Sequence, residues 1–236
     1  MPDMRERIVI EHPTPAPRLV QFTRYPDAGK CKSRLIPAVG PKGAAAIHRH
    51  LTEHVFAQLT KTNCPVTLAY TGASGRDFQQ WLGPDQLGGE VTSAPQPEGD
   101  LSQRLIAFID DAPIIFFGSD TPDLSDAHVE AAIEGLKTHR LVIGPALDGG
   151  YYLIGMREPL PQLLDDMPWS TDQVMPETLR RAQQMGIEPL LLEPLSDCDV
   201  PNDLLRWPSL VSLASEGDIG ADNDSERRAE NAFSEG

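Results

Sequence analysis

Apolar residues recur along this chain in two rhythms. Short unbroken apolar runs, bounded by glycine, proline or aspartate, alternate with longer stretches in which apolar positions return every three or four residues. The first rhythm marks buried strands and the second marks helices packed by one face. Strand-like runs fall at residues 19–22 (L-V-Q-F), 65–70 (P-V-T-L-A-Y), 114–117 (I-I-F-F), 141–144 (L-V-I-G), 151–154 (Y-Y-L-I) and 189–192 (P-L-L-L), with a weaker one in E-V-T-S after Gly88 and Gly89. Between them, residues 41–60 carry Ile47, Leu51, Val55 and Leu59 at helical spacing. Shorter helical patterns surround Phe78, Trp81 and Leu82, then Leu101, Leu105, Phe108 and Ile109, then residues 128–136, and then Val174, Leu179 and Ala182 behind a Ser170 or Thr171 cap. This alternation predicts an α/β fold, a single domain with a mostly parallel sheet and helices on both faces. Residues 114–144 read as a right-handed, parallel β-α-β unit.

The domain spans 18–212. Pro2, Pro13, Pro15 and Pro17 make residues 1–17 an extended arm. From 213 to 236, seven acidic residues stand against Arg227 and Arg228 with few core formers, which predicts a disordered acidic tail.

Function is expected beyond the carboxyl ends of the strands, and above all after the run at 114–117. That end reads G-S-D-T-P-D-L-S and presents Ser119, Asp120, Thr121 and Asp123 around Pro122. Two carboxylates on a turn that proline keeps out of helix suit an oxygen-ligated divalent cation, Mg²⁺ or Mn²⁺. An Asx-turn at Asp120, with Ser125 or Asp123 capping the next helix, uses the same residues without a metal.

The first strand runs into T-R-Y-P-D-A-G-K-C-K-S-R-L, which carries Arg24, Lys30, Lys32 and Arg34. A positive loop after an opening strand suits phosphates, with Gly29 permitting close backbone approach. In an extended segment Lys30, Lys32 and Arg34 point to one side. The loop is neither a Walker A motif nor a dinucleotide fingerprint. Gly99 and Asp100 open a helix whose N-terminus could offer amides to a nucleotide, and Asp100 with Gln103 also has the spacing of a capping box. Asp148 precedes Gly149 and Gly150 in an open turn beside a tyrosine pair, a substrate-facing arrangement. Trp169 can stack on a sugar or base, or anchor its loop in the core. Asp197 and Asp199, two apart in an extended stretch, project to one side and suit either a metal or a cap.

Composition narrows the partners. The formal net charge is −15 over 236 residues, which argues against a general nucleic-acid surface yet leaves room for a nucleotide held by a few cations. The N-terminus lacks the apolar core of a secretory signal, no run approaches a membrane span, and Cys31, Cys64 and Cys198 have no paired spacing. These features are expected of reduced thiols in a cytoplasm and give no zinc framework. His50 and His54, one turn apart, read as the flank of an amphipathic helix rather than as a chelate.

Five motifs in order, R-Y-P-D-A-G-K-C-K-S-R-L, F-G-S-D-T-P-D-L, G-P-A-L-D-G-G-Y-Y-L-I-G, W-S-T and D-C-D-V-P-N-D-L, give the chain a family resemblance over residues 18 to about 207. It resembles the bacterial GT-A-like family known as radical-SAM/selenodomain-associated, or arsenosugar-biosynthesis, glycosyltransferases. More distantly, it is similar to molybdenum-cofactor and phospholactate guanylyltransferases. The resemblance implies a nucleotide-diphospho-sugar transferase fold with a divalent cation. By that resemblance Asp120 matches the metal aspartate, Lys32 and Arg34 the phosphate-binding cations, and Asp148 with Gly149 and Gly150 the acceptor-side turn. The usual Asp-x-Asp signature is replaced by Asp120-Thr121-Pro122-Asp123.

Two chemistries follow. In glycosyl transfer, Asp120 with Asp148 or Asp199 holds the cation on a nucleotide-diphospho-sugar, and Asp148 orients or deprotonates a small-molecule acceptor. In nucleotidyl transfer, an acceptor phosphate attacks a nucleoside triphosphate and pyrophosphate leaves. A nucleotide-binding module without turnover is the non-enzymatic alternative.

Overall fold

A computed structural model describes residues 15–82 and 91–220. Seven strands form one sheet: β1 (Arg18–Arg24), β2 (Val66–Thr71), β3 (Val91–Pro95), β4 (Ile114–Phe117), β5 (Leu141–Pro145), β6 (Tyr151–Met156) and β7 (Leu190–Leu191). Their order is β3-β2-β1-β4-β6-β5-β7. β1 pairs in parallel with β2 and β4, β2 with β3, and β5 with β7, whereas β6 runs antiparallel between β4 and β5. The β-α-β unit expected over 114–144 is therefore divided. Its two strands run the same way, but β6 lies between them. Only residues 146–150 separate β5 from β6, where Ala146 N donates to Gly150 O and Gly149 N to Ala146 O. So short a connection turns the chain straight back, because a parallel crossover needs a dozen residues or more.

Among the described residues there are six helices, α1 (Ile36–Leu59), α2 (Gly75–Leu82), α3 (Leu101–Ile106), α4 (Asp126–Thr138), α5 (Val174–Gln184) and α6 (Pro208–Gly220), of which α6 packs on α1. α1 begins before the expected residue 41 because the chain is already helical at Ile36. It kinks at Gly40 (φ 71°, ψ 169°), the residue held out of helix by Pro41. The predicted stripe of α1 is buried throughout, at Ile47, Leu51, Val55 and Leu59. α5 starts later than its expected cap. Gln173 is the N-cap residue, and Thr171 Oγ1 accepts from Gln173 N at 3.3 Å.

The expected boundary at 213 is also corrected. α6 continues to Gly220, because Leu210 and Ala214, one turn apart, are buried against the first half of α1. A Cβ at Gly43 would lie 3.0 Å from Ala214 Cβ, so the small residues of α1 let the two helices approach. The remainder of the proposed tail, residues 221–236, and residues 1–14 of the proposed arm lie outside the described residues.

The core has two main layers. Leu19, Phe56, Leu68, Phe78, Phe117, Val129 and Leu153 pack on one face of the sheet, while Val20, Phe116, Ile143, Ile154, Leu163 and Ala182 pack on the other. Neighbours such as Phe116 and Phe117 face opposite layers, as strand pleating requires. At roughly 1.5–3 kcal/mol for each fully buried large apolar side chain, these two layers hold the strand ends in register. The reversal of strand order at β1/β4 leaves a crevice between loops that diverge from neighbouring strands, and the candidate site lies there.

Candidate functional site

The site grows from three loops that leave the same edge of the sheet. After β1 the chain forms a loop in which Gly29 takes φ 81° and Lys32 takes φ 43°, ψ 46°, and then a short 3-10 turn over Ser33–Leu35. The segment is not extended, so the expectation that Lys30, Lys32 and Arg34 share one side fails. The left-handed residue at 32 and the turn after it send the three apart. Lys30 is exposed and pairs with Asp27 at 3.1 Å. Lys32 turns inward with only 3% of its side chain exposed. Arg34 joins the wall of a cleft.

Lys32 meets the other two loops. Its Nζ lies 2.7 Å from Asp120 Oδ1, after β4, and 3.1 Å from Asp199 Oδ1, and it donates to Cys198 O at 2.7 Å. Asp120 Oδ1 is closed off from solvent, yet 40% of the side chain is exposed, so the carboxylate keeps an open edge. Cys198 N donates to Asp120 O at 2.9 Å, which ties the late loop to the β4 turn. Asp197 and Asp199 line the cleft while Cys198 between them is buried, the alternation expected of extended backbone.

Behind Asp120 stands His48 of α1. Its Nε2 donates to Arg24 O at 2.9 Å, and its Nδ1 lies 4.0 Å from Asp120 Oδ1. Burial lowers the His48 pKa, with Asp120 opposing, so the ring is neutral near pH 7. For Lys32, burial disfavours the charge, but Asp120 and Asp199 outweigh it and hold the ammonium above the ordinary lysine range. Burial likewise opposes ionisation of Asp120, and Lys32 overcomes it, keeping this carboxyl below its usual range.

Asp197 behaves in the opposite way. Burial, reinforced by the charges of Asp120, Asp148 and Asp199, pushes it up to about 7, although Thr121 Oγ1 donates to it at 2.7 Å. Four carboxylates here share a small volume with one ammonium. Among the described residues, no three His, Cys, Asp or Glu side chains form a ready-made metal cage. The donor set still fits a hard divalent cation: all the ligands are oxygens, and they carry more negative charge than Lys32 neutralises. The open edge of Asp120, with Asp197 and Asp199, would hold it.

The remaining predicted residues separate into those at the site and those elsewhere. Asp148 lines the cleft, and its Oδ1 accepts from Gly150 N at 2.9 Å. Gly149 takes φ 95°, and a Cβ there would come 2.7 Å from Asp172 Cα, so the turn needs glycine to pass the loop before α5. Ser119 faces inward: it is buried, donates to Phe22 O at 2.9 Å and accepts from Gln21 Nε2 at 3.1 Å. Asp100 caps α3 in a reciprocal box with Gln103, and Gly99 O accepts from Arg104 Nε at 2.8 Å, so both serve the helix start. Arg24 is exposed and reaches Lys30 O at 3.3 Å. Asp123 is directed at Trp207, whose Nε1 donates to it at 2.9 Å. It does not line the cleft, and the turn around Pro122 aims its two carboxylates at different partners. His54 donates to Leu124 O at 2.8 Å, while His50 is exposed. The sequence places Thr121 at this strand end but not its bond to Asp197, and does not single out His48: the two contacts bridge 76 and 72 residues of chain. Burial pushes the Cys31 and Cys198 thiols to about 11, which leaves both unreactive.

The cleft itself, about 470 Å³, lies on the β4–β6 side of Lys32. Phe22, Leu105, Phe116, Tyr151 and Trp169 contribute to its lining, with Asp148, Asp197 and Asp199 also present. Trp169 Nε1 donates to Ser102 Oγ at 2.9 Å, and its ring meets Tyr151 edge-on at 6.1 Å, so it both anchors its loop and faces the cleft.

This sheet order and switch-point site define the fold class of the nucleotide-diphospho-sugar transferases. A crystal structure from Desulfovibrio desulfuricans G20, assigned as such a transferase, matches with a TM-score of 0.72 at 29% identity, over 86% of this chain and 95% of that one. The inositol-1-phosphate CTP transferase of T. maritima shares the fold at 14% identity, with a TM-score of 0.51 over 87% of this chain and 97% of that one. Residues 54–171 match the family described as "Uncharacterized protein conserved in bacteria (DUF2064)", and the chain belongs to that family. Over 90 residues it is 36% identical to a 2-phospho-L-lactate guanylyltransferase of Methanopyrus kandleri. That stretch is 37% of this chain and 45% of the relative, so the similarity spans less than half of the relative's length. Among the described residues, no helix is long and apolar enough to cross a membrane.

Proposed function

We propose that the protein is a metal-dependent transferase that moves a glycosyl group from a nucleotide-diphospho-sugar to a small-molecule acceptor. The observation that carries this reading is the meeting of Lys32 with Asp120 and Asp199, at 2.7 and 3.1 Å, beside a cleft that Arg34 also lines. Lys32 and Arg34 grip the donor diphosphate. Lys32 supplies a point charge and Arg34 a planar pair of donors, and both stabilise the charge that builds on the leaving group. Asp120, with Asp197 and Asp199, holds Mg²⁺ or Mn²⁺, which supplies further charge stabilisation when bound. Asp148 orients the acceptor hydroxyl and takes its proton as the acceptor oxygen bonds to the sugar carbon. The carbon–phosphate-oxygen bond breaks with its electron pair leaving on the nucleoside diphosphate. Among the described residues Cys31, Cys64 and Cys198 form no disulfide, which supports work in a reducing cytoplasm. On this reading the radical-SAM/selenodomain-associated glycosyltransferases are its functional relatives.

Nucleotidyl transfer is the second reading, favoured by the guanylyltransferase match over 90 residues. In it an acceptor phosphate oxygen bonds to the α-phosphorus, and pyrophosphate departs with the electron pair of the broken bond. Lys30 bears on the choice: paired with Asp27 and facing solvent, it leaves two cations for the donor, which suits a diphosphate better than a triphosphate. Incubation of the full chain with Mg²⁺ or Mn²⁺ and a panel of UDP- and GDP-sugars and nucleoside triphosphates separates the two. Release of nucleoside diphosphate is expected; release of pyrophosphate would replace the first reading by the second.

A further inference from the structure

We infer that the cleft takes an uncharged, hydroxyl-bearing acceptor with an apolar face, and disfavours a phosphorylated one. That this ligand is the acceptor rests on the transferase reading above; the chemistry of the cleft does not. Its floor is aromatic and aliphatic. Trp169 is fixed by its bond to Ser102 and by its edge-on contact with Tyr151, and Leu101, at the first position of α3, remains 38% exposed at the cleft wall. Rigid aromatic rings beside an exposed leucine favour the apolar face of a ring-shaped ligand over bulk water.

The polar groups point the same way. Among the described residues lining the cleft, Arg34 is the one cation, against Asp148, Asp172, Asp197 and Asp199. Lys32 is not part of this lining; it lies against Asp120 and Asp199, on the donor side of the transferase reading. Two backbone amides beside the cleft are engaged by carboxylates: Gly150 N donates to Asp148 at 2.9 Å, and Gln103 N of α3 donates to Asp100 at 2.9 Å. Arg104, the nearest cation on α3, turns back to Gly99 O and Gln96. A phosphate placed here meets four carboxylates against the single cation Arg34, whereas hydroxyls find acceptors in those same carboxylates.

The test is calorimetric titration of the full chain with phenyl β-glucoside, a neutral ring-bearing polyol, and with phenyl phosphate, each with UDP and Mg²⁺ and without them. Phenyl β-glucoside is expected to bind at least about tenfold tighter than phenyl phosphate, and Trp169→Ala to weaken it by about tenfold. Because Trp169→Ala can disturb its loop, Leu101→Lys serves as the second variant. It adds a cation at an exposed position and should strengthen phenyl phosphate binding at least about fivefold while folding normally by circular dichroism. Equal or tighter binding of phenyl phosphate by the unmodified protein overturns the inference. So does failure of phenyl β-glucoside to bind, or a Leu101→Lys protein with unchanged phosphate affinity. The nucleotide arm is read separately. If UDP fails to bind while phenyl β-glucoside does, the transferase reading falls and the cleft assignment stands.

Discussion

Two charged clusters in this molecule have nearly the same distances and opposite significance. On α5, Glu177 bridges Arg180 at 2.7 Å and Arg181 at 2.6 Å. At the strand switch, Lys32 bridges Asp120 at 2.7 Å and Asp199 at 3.1 Å. The hydrogen bonds from the two arginines hold the Glu177 carboxyl at about 2, yet the pairs are three and four residues apart on one partly exposed helix flank, where such local pairs contribute little and salt screens them. In the second cluster the lysine is withdrawn from solvent and its partners come from loops 88 and 167 residues away in the chain. Breaking it strands a buried charge and unties three loops at once. Burial and sequence separation, not distance, distinguish a site from a decorated helix.

The variant expected to widen that contrast most is Asp120→Ala, which should lower kcat/KM by about a thousandfold or more, since it removes both the partner of Lys32 and the open carboxylate edge. Steady-state assays with the preferred donor measure it, and a loss below about tenfold would remove Asp120 from the chemistry. Next, Lys32→Ala should destabilise the fold by roughly 2–3 kcal/mol in urea unfolding, less than a wholly buried pair because Asp120 and Asp199 retain exposure. An unchanged midpoint would class Lys32 with the α5 cluster.

A third expectation concerns pH, in chelator. The folded pKa of Asp197, about 7, lies above its unfolded value, so the folded chain binds the extra proton. The resulting cost to stability is absent well below the unfolded carboxyl pKa, grows as pH rises through the window up to about 7, and is full above it. Asp197→Asn should therefore stabilise the protein at pH 8 by on the order of 1 kcal/mol or more, and very little at pH 4. The same gain at both pH values would show that Asp197 is not held protonated. Asp123→Asn, which alters only the contact with Trp207, should keep turnover within about threefold, in contrast to Asp120. Smallest of all, Glu177→Gln should leave turnover unchanged and shift melting slightly, an effect that disappears in high salt.

Much of the architecture was legible because it is written locally. The unbroken run at Ile114–Phe117 had to be a central strand, and the four-residue stripe of α1 had to face a core. The antiparallel β6 was also legible in principle, since five residues cannot carry a crossover, but strand pattern alone does not record direction. The site divides in the same way. Asp120, Lys32, Arg34, Asp148 and Asp199 stand at loop positions that strand ends and charge type reveal. The inward turn of Lys32 depends on its left-handed backbone, and that of Ser119 on Gln21 of the neighbouring strand, neither of which has a local signature. Asp123 looked equivalent to Asp120 because both flank Pro122, and only the arrival of Trp207 from a distant segment separates them.

The most direct test of the central claim is calorimetric titration of the intact chain with UDP and GDP, in Mg²⁺ and then in EDTA, for the unmodified protein and for Asp120→Ala. Nucleotide binding is expected to weaken at least about tenfold when Mg²⁺ is removed, and by a similar factor in the variant, with no further loss when both changes are combined. Equal affinity in EDTA and in Mg²⁺, together with full affinity in Asp120→Ala, would contradict that claim.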